Sequence, residues 1–498
     1  MKRVITLLIA ASLLMFSFSG CNKAKLADSS GGGNKFVTLK MFYPTGTGNE
    51  ADMQLVKDEI NKYLKAELNC EVEIESPDYA TFYQKLPLKL QSGEKMDYIF
   101  ANTLIFFNNL PKKAFLPLDE LLNHYGKGIK ETIPSDLLES MKVKGVTYVL
   151  PTYKDIGESE GLYYRKDLVS KHNLDIKNAD TLAEFDTILS TLKEKEPNMV
   201  PYWMNNQTVQ IFKLDVQPED EFRYEAIHGL KEFYFDTKTE KVLHSSKMPE
   251  RISLYKYFEK WNKAGYINSD AATTNTVQYA AAQNNKTGIV VQGGKPETEK
   301  NLSLDLGTEY VRGYTTTPKL NVSAARASMC AIPFSSQNPE RAMMLINKLY
   351  TDKKLINLFV NGVEGKNYVK VDENTIKLPE GVTKASDKGY NPGIEWRMGN
   401  QFLNYLWENE SKDKWEKFKT FNANAKEVKL SNFMFNQEPV KTQIAAINNI
   451  YSEFETPLRV GALDVDKAIP QYISKLEANG LNEIIAEMEK QYKEWKAN

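Results

Sequence analysis

Three consecutive stretches decide the fold: FVTLKMFY (36–43), DMQLVKDEINKYLKAEL (52–68) and CEVEIE (70–75). The first is rich in β-branched and aromatic residues and runs into Pro44-Thr45-Gly46-Thr47-Gly48-Asn49, a cluster of turn formers. In the second, Met53, Val56, Ile60, Leu64 and Leu68 recur at the period of a helix. In the third, Cys70, Val72 and Ile74 alternate with three glutamates, the pattern of a half-buried strand. TFYQKLPLKLQSGEKMDYIFAN (81–102) then adds a helix, a Ser-Gly break and a strand ending at Ala101-Asn102. Strands separated by helical patterns predict a parallel sheet. Ligands on such sheets gather beyond the carboxyl ends of the strands, here Tyr43–Asn49 and Asn102–Thr103.

Downstream, KGVTYVLPTY (144–153) reads as a strand ending in Pro151, and GLYYRKDLVSKHNLD opens a new unit. SKMPERISLYKYFEKWNKAGYI predicts an amphipathic helix capped by Gly265. TGIVVQGG (287–294) and SMCAIPF (328–334) read as short strands. Asn338-Pro339 predicts a helix through Tyr350, with Asn as N-cap and Pro at the first helical position. LNEIIAEMEKQYKEW (481–495) sets Leu481, Ile484, Ile485, Met488, Tyr492 and Trp495 on one face, as expected of a helix docked on the body.

The amino terminus reads differently. Lys2 and Arg3 precede a fifteen-residue apolar run, Val4–Phe18. That is short of the roughly 20 residues needed to span a bilayer and suits a secretion signal over residues 1–20. Small residues, Ser19-Gly20, stand before Cys21, and the polar, glycine-containing stretch 21–35 reads as a flexible tether.

Composition excludes several classes. The formal charge is −1 and no basic tract is five residues long, which disfavours nucleic acid as a partner. Only three cysteines occur, with no C-x-x-C, and Cys70 and Cys330 read as two buried thiols, with a disulfide between them as the alternative. The four histidines lack ligand spacing, so neither a metal nor another cofactor is expected. No G-x-S-x-G element appears. A glycosidase would need two carboxylates roughly 5–10 Å apart, and 65 acidic residues leave such a pair open.

Several segments in order resemble the extracellular solute-binding lipoproteins of carbohydrate ABC transporters, in the LplA-like group. They are the Phe18-Ser19-Gly20-Cys21 lipobox, YQKLPLKLQSGEKMDYIFAN, GVTYVLPTYKD with GLYYRKDL, WNKAGYINSDAAT, and NPERAMMLINKLYTDKKLINLFVNGVEGKNY. The stretch from about Asn432 is similar to a C-terminal domain of unassigned function found on such proteins. The resemblance implies a monomer, not an enzyme, with an α/β, two-lobed periplasmic-binding-protein-like fold of type II. It would be lipid-anchored through Cys21 to the extracytoplasmic face of the cell membrane, and would deliver a carbohydrate, expected to be an oligosaccharide, to the permease subunits of an importer. A solute sensor for a membrane signalling system would share the fold. The implied division is 36–150 plus 326–365 for lobe one, 151–325 plus 366–430 for lobe two, and 431–498 for a mostly helical segment packed on the body. VLPTY (149–153) and ASMCAIP (327–333) would be two crossings, with a third between Gly365 and Trp396.

A sugar needs flat apolar faces for its C–H surface and planar polar groups for its hydroxyls. Candidates at cleft-facing loops are Tyr43 and Thr45, with turn chemistry as the alternative, and Asn102, with a helix N-cap as the alternative. Tyr153, Lys154, Asp155 and Glu160 follow the first crossing, where a solvated loop is the other reading. Trp203, with Asn205 and Asn206, stands in a polar loop, against a core role for the tryptophan. Gln292-Gly293-Gly294-Lys295 allows close backbone approach. GYNPGIEWRMGNQ (389–401), with Tyr390, Trp396, Arg397 and Asn400, is the richest aromatic and polar cluster and the favoured one.

Overall fold

The computed structural model describes residues 35–46, 50–205, 221–227, 229–320, 322–430 and 433–497. The signal, Cys21, the tether through residue 34, residues 47–49 of the loop after the first strand, Asn206 and His228 lie outside the described residues. Among those described, no helix is long and apolar enough to cross a membrane, and no group of three or more His, Cys, Asp or Glu could hold a metal ion.

The opening stretches form β1 (Val37–Phe42), α1 (Met53–Leu68), β2 (Cys70–Glu75), α2 (Tyr79–Ser92) and β3 (Tyr98–Ala101), then α3 (Thr103–Asn109). β1 runs parallel to β2 from Val37↔Cys70 to Phe42↔Glu75, and parallel to β3 at Met41↔Tyr98. α1 buries Val56, Ile60 and Leu64 beneath this sheet. β4 (Leu150–Pro151) and β13 (Met329–Ala331) complete the order β2-β1-β3-β13-β4, with β13 antiparallel to both neighbours. The strand expected over 144–153 is confined to β4. Lys144 and Gly145 both take positive φ in a turn closed by Val143 and Val146, and Pro151 has no N–H to extend the ladder. Asn338 does precede its helix, Pro339–Thr351, but its side chain makes no capping bond. Cys70 and Cys330 are both buried in this sheet as free thiols.

The second lobe is built on β6 (Glu160–Arg165), flanked antiparallel by β10 (Ile289–Gly293) and β11 (Tyr310–Thr315). A meander of β7 (Tyr224–Ala226), β8 (Phe233–Asp236) and β9 (Lys241–His244) lies in the same lobe. Phe185, Tyr202 and Trp261 meet edge to face at the centre of its core. That core also takes Ile447, Tyr472, Leu481, Ile484, Met488 and Tyr492 from the C-terminal helices, so the C-terminal segment and the second lobe share one hydrophobic interior.

The lobes are joined by three short strands: β5 (Gly157–Glu158), β12 (Lys319–Leu320) and β17 (Lys426–Glu427), in the order β17-β12-β5. Asn422 clamps the first crossing: its Oδ1 accepts the N–H groups of Ile156 (3.1 Å) and Gly157 (3.0 Å), and its Nδ2 donates to the Lys154 carbonyl (2.8 Å). The Glu225 carboxylate of β7 receives the N–H groups of Lys429 and Leu430, both at 2.7 Å, and so pins the chain as it leaves β17. The third crossing therefore lies at β17, downstream of the expected Gly365–Trp396. Residues 366–423, assigned by sequence to lobe two, pack on lobe one instead. The reason is apolar: Tyr390, Ile394 and Met398 enter the first core, the Tyr390 hydroxyl donates to the Phe359 carbonyl (2.7 Å), and the Asp52 N–H donates to Gly389 (2.9 Å). A small sheet of β14 (Val369–Lys370), β15 (Thr375–Lys377) and β16 (Leu406–Trp407) completes this part.

A buried charge network ties the C-terminal helices to lobe two. Glu455, 5% exposed, starts the helix Glu455–Arg459 beside Glu232 and forms an ion pair with the Arg459 guanidinium (3.3 Å); Arg251, on the helix Pro249–Lys263, stands close by and donates to Tyr234. Burial, and then the neighbouring Glu232 carboxylate, push the Glu455 carboxyl up to about 8, because two adjacent carboxyls in a dry site do not both ionise. Burial raises Glu232 too, but Arg251 and Ser245 outweigh it and hold that group below its ordinary range. A carboxyl raised in the folded state stabilises the fold fully below its unfolded pKa, and that contribution is lost as pH rises through the folded value. We therefore expect Glu455→Gln to gain on the native protein in melting temperature between about pH 5 and pH 8.5, by at least ~2–4 °C. A constant difference across that range would refute the shared-proton description.

Candidate functional site

At the carboxyl end of the first sheet the Arg397 guanidinium lies over two rings, Tyr79 at 4.2 Å and Trp396 at 4.5 Å from the centroids. Its Nη1 donates to the Pro44 carbonyl (3.3 Å), directly after β1. Tyr79 stacks on Tyr83, with centroids 6.2 Å apart. The Tyr83 hydroxyl accepts from Asn102 Nδ2 (2.8 Å) at the end of β3. Five side chains from three chain regions thus form one aromatic and polar face.

Local sequence explains this assembly. Asp78 caps α2 by accepting the Thr81 N–H (3.0 Å), which starts the helix immediately after β2. Tyr79 and Tyr83 then fall four residues apart on one side of it. Asn102 serves both readings at once: its Oδ1 caps α3 through the Ile105 N–H (3.0 Å), while its amide N–H reaches Tyr83. Tyr79 and Tyr83 are the residues that sequence reasoning missed. Their signal was a Tyr pair at helical i, i+4 spacing just beyond a strand end.

Arg397 is 9% exposed and its Nε has no partner among the described residues. Burial pulls its pKa below the ordinary value, opposed by Tyr79 and Glu395. A largely dehydrated guanidinium held by π faces keeps donors in place without saturating them, at little further entropic cost on binding. Trp396 is half-buried and Tyr83 is 38% exposed, so aromatic surface remains open beside those donors.

Other candidates have different surroundings. Tyr43 and Tyr390 are buried in the first core, and the Tyr43 ring meets Tyr98 edge to face. Thr45 is 1% exposed; its hydroxyl donates to Ser76 (3.2 Å), which is turn chemistry. Tyr153, half-buried, packs edge to face on Phe402, and its N–H donates to the Gly399 carbonyl (2.9 Å), beside Asn400. Lys154 is buried at the hinge, where desolvation lowers its pKa. Asp155 pairs with Lys295 at 2.6 Å, linking the first crossing to lobe two. Glu160 opens β6 opposite Gly293, and Gln292 is exposed on β10, so these two share one rim of lobe two. Trp203 is 6% exposed and donates from Nε1 to the Thr276 carbonyl (2.9 Å), to which Asn205 also donates (3.4 Å). The structure thus gathers Asn102, Trp396 and Arg397 into one face, Glu160 and Gln292 into a second, and Tyr153, Lys154 and Asp155 at the hinge.

Residues 45–296 match the family model described as bacterial extracellular solute-binding protein, and residues 429–497 match a domain of unknown function, DUF3502. The chain belongs to the bacterial extracellular solute-binding proteins. It is 28% identical over 490 residues to a carbohydrate ABC transporter substrate-binding protein of Streptococcus pneumoniae serotype 4, covering 96% of this chain and 94% of that one. It is similar in structure to the N-glycan transport solute binding protein NgtS of Streptococcus pneumoniae, with TM-score 0.76 and 25% identity over 93% of this chain and 99% of NgtS. For NgtS in complex with Man5GlcNAc the TM-score is 0.59, at 25% identity over 92% of this chain and 98% of that one. The fold is accordingly the two-lobed α/β fold of type II solute-binding proteins, and the protein's activity is solute capture, not catalysis.

Proposed function

We propose that this protein captures an oligosaccharide between its lobes and delivers it to the permease of an ABC importer, while a lipid on Cys21 holds it at the outer face of the membrane. The observation that carries the reading is the Trp396–Arg397–Tyr79–Tyr83–Asn102 face at the strand ends of the first sheet. Pyranose rings present flat C–H surfaces edged by hydroxyls, and this face offers aromatic planes edged by guanidinium and amide donors. Glu160 and Gln292 stand on the second lobe as candidate acceptors and donors, with Tyr153, Lys154 and Asp155 at the hinge between. The relatives support the same class of ligand: one is named for carbohydrate transport, and NgtS binds Man5GlcNAc.

The same comparison supports lobe closure. Sequence identity is 25% to NgtS and to its Man5GlcNAc complex, yet the TM-score falls from 0.76 to 0.59, so the difference is one of shape. Closure by hinge motion about short connecting strands accounts for it. The anchor rests on the short apolar run ending in Ser19-Gly20-Cys21, since a span would need more apolar length.

Two measurements test these claims. In a thermal-shift panel of mono- and oligosaccharides, Man5GlcNAc among them, an oligosaccharide at 100 times its Kd adds about 2.7 kcal/mol to native stability. We expect an upward shift that is lost in a folded Trp396→Ala variant. A shift with peptides and none with any sugar would overturn the substrate class. For the anchor, mass spectrometry of the mature N-terminus should find a diacylglyceryl group on Cys21, and a free thiol there would refute it.

A further inference from the structure

A cavity of about 470 Å³ lies where the helix Thr298–Leu306 of lobe two faces β16 and the helix Lys414–Ala423. That volume is within the range of small-molecule sites. Lobe two contributes Glu297, Lys300 and Leu304, and the lobe-one side contributes Trp407, Glu408 and Glu410. None belongs to the aromatic face described above.

Three features of the lining are those of a site left open for a ligand. Trp407 is half-buried, and its indole N–H, like those of Trp396 and Trp495, has no partner among the described residues, whereas those of Trp203, Trp261 and Trp415 are bonded. The Lys388 ammonium stands 4.6 Å from the Trp407 ring centroid without lining the cavity, so one face is covered and the ring is fixed. Leu304 is 61% exposed on a helix that buries Leu302 and Leu306. Beside them Glu297, at φ +66°, reaches across the lobe boundary: its carboxylate accepts from Ser411 Oγ (2.5 Å) and Lys417 Nζ (2.7 Å). Burial pushes that carboxyl up, but these two bonds outweigh it and hold it below the usual range.

We propose that this cavity is a second saccharide subsite, with Trp407 as its stacking platform and indole donor and with Glu297, Glu408 and Glu410 as acceptors for sugar hydroxyls. It rests on the oligosaccharide reading above and extends it. Lys388, under Trp407, also lies within the electrostatic reach of Glu395, the neighbour of Trp396, so one strip of chain connects the two platforms. A short glycan occupies the Trp396 face alone, and a longer one spans both. Because both lobes line the cavity, a sugar there bridges them next to the Glu297–Lys417 bond. Chain length is then read by closure as well as by contact.

Calorimetric titration of Man5GlcNAc and of its reducing-end disaccharide tests this on the native protein, Trp407→Ala and Leu304→Glu. Loss of one stacked aromatic contact is expected to weaken Man5GlcNAc about tenfold in Trp407→Ala and leave the disaccharide within about twofold. Leu304→Glu, an exposed position that leaves the core untouched, should also weaken only the longer glycan. Unchanged Man5GlcNAc affinity in both variants, or equal losses for both sugars in Leu304→Glu, overturns the subsite while leaving the oligosaccharide reading in place. A native protein that binds neither these sugars nor any oligosaccharide of the panel overturns the reading and the subsite together.

Discussion

Everything the two lobes do in concert depends on three short strands. β5, β12 and β17 are two residues each, yet they are the route by which the chain passes between two separate hydrophobic interiors. So little hydrogen bonding would not fix a crossing on its own. Polar side chains supply the remainder: one amide, Asn422, satisfies three backbone groups of the first crossing, and one carboxylate, Glu225, takes two N–H groups after the third. Charge-assisted bonds to a carboxylate are among the stronger ones, and Glu225 keeps both although burial raises its pKa. The lobes are thereby tethered at one edge, and the proposed closure turns about that edge.

Either side of that edge, stability comes from ordinary burial. The first lobe packs a mostly parallel sheet under α1 and α2, which leaves its strand ends pointing to the hinge side. The second lobe is different in kind. Its core is completed by the C-terminal helices, and the buried Glu232, Glu455 and Arg251 group sits where those helices meet the lobe. Replacing such buried charges by apolar groups is often neutral or better, so their presence does not explain stability.

Legibility in the sequence followed the physics of each feature. The β-α-β-α-β opening was readable because period 2 and period 3.6 alternate cleanly from Val37 to Ala101. The stretches through Pro151 and Cys330 were readable as short apolar strands, but they pair in the first sheet as β4 and β13, and the chain crosses a few residues away, at β5 and β12. The third crossing was not, since Lys426-Glu427 is charged and carries no strand pattern; its pairing comes from β12, more than a hundred residues earlier. The favoured cluster at 389–401 split for a related reason. Aromatic content there marked both a core anchor, Tyr390, and a surface platform, Trp396, and only packing separates them. Tyr79 and Tyr83 went unread because a tyrosine pair on an amphipathic helix usually means core. Asn102 was read with two alternatives, and the fold uses both atoms of its amide.

In the proposed function the two lobes rotate about the β5–β12–β17 hinge when a sugar bridges them. Small-angle X-ray scattering of the mature protein, with and without the saturating oligosaccharide, measures that rotation directly. A smaller radius of gyration with sugar bound, absent when Trp396 is replaced, is the predicted result. Identical scattering in the free and saturated states would contradict closure as the means of capture.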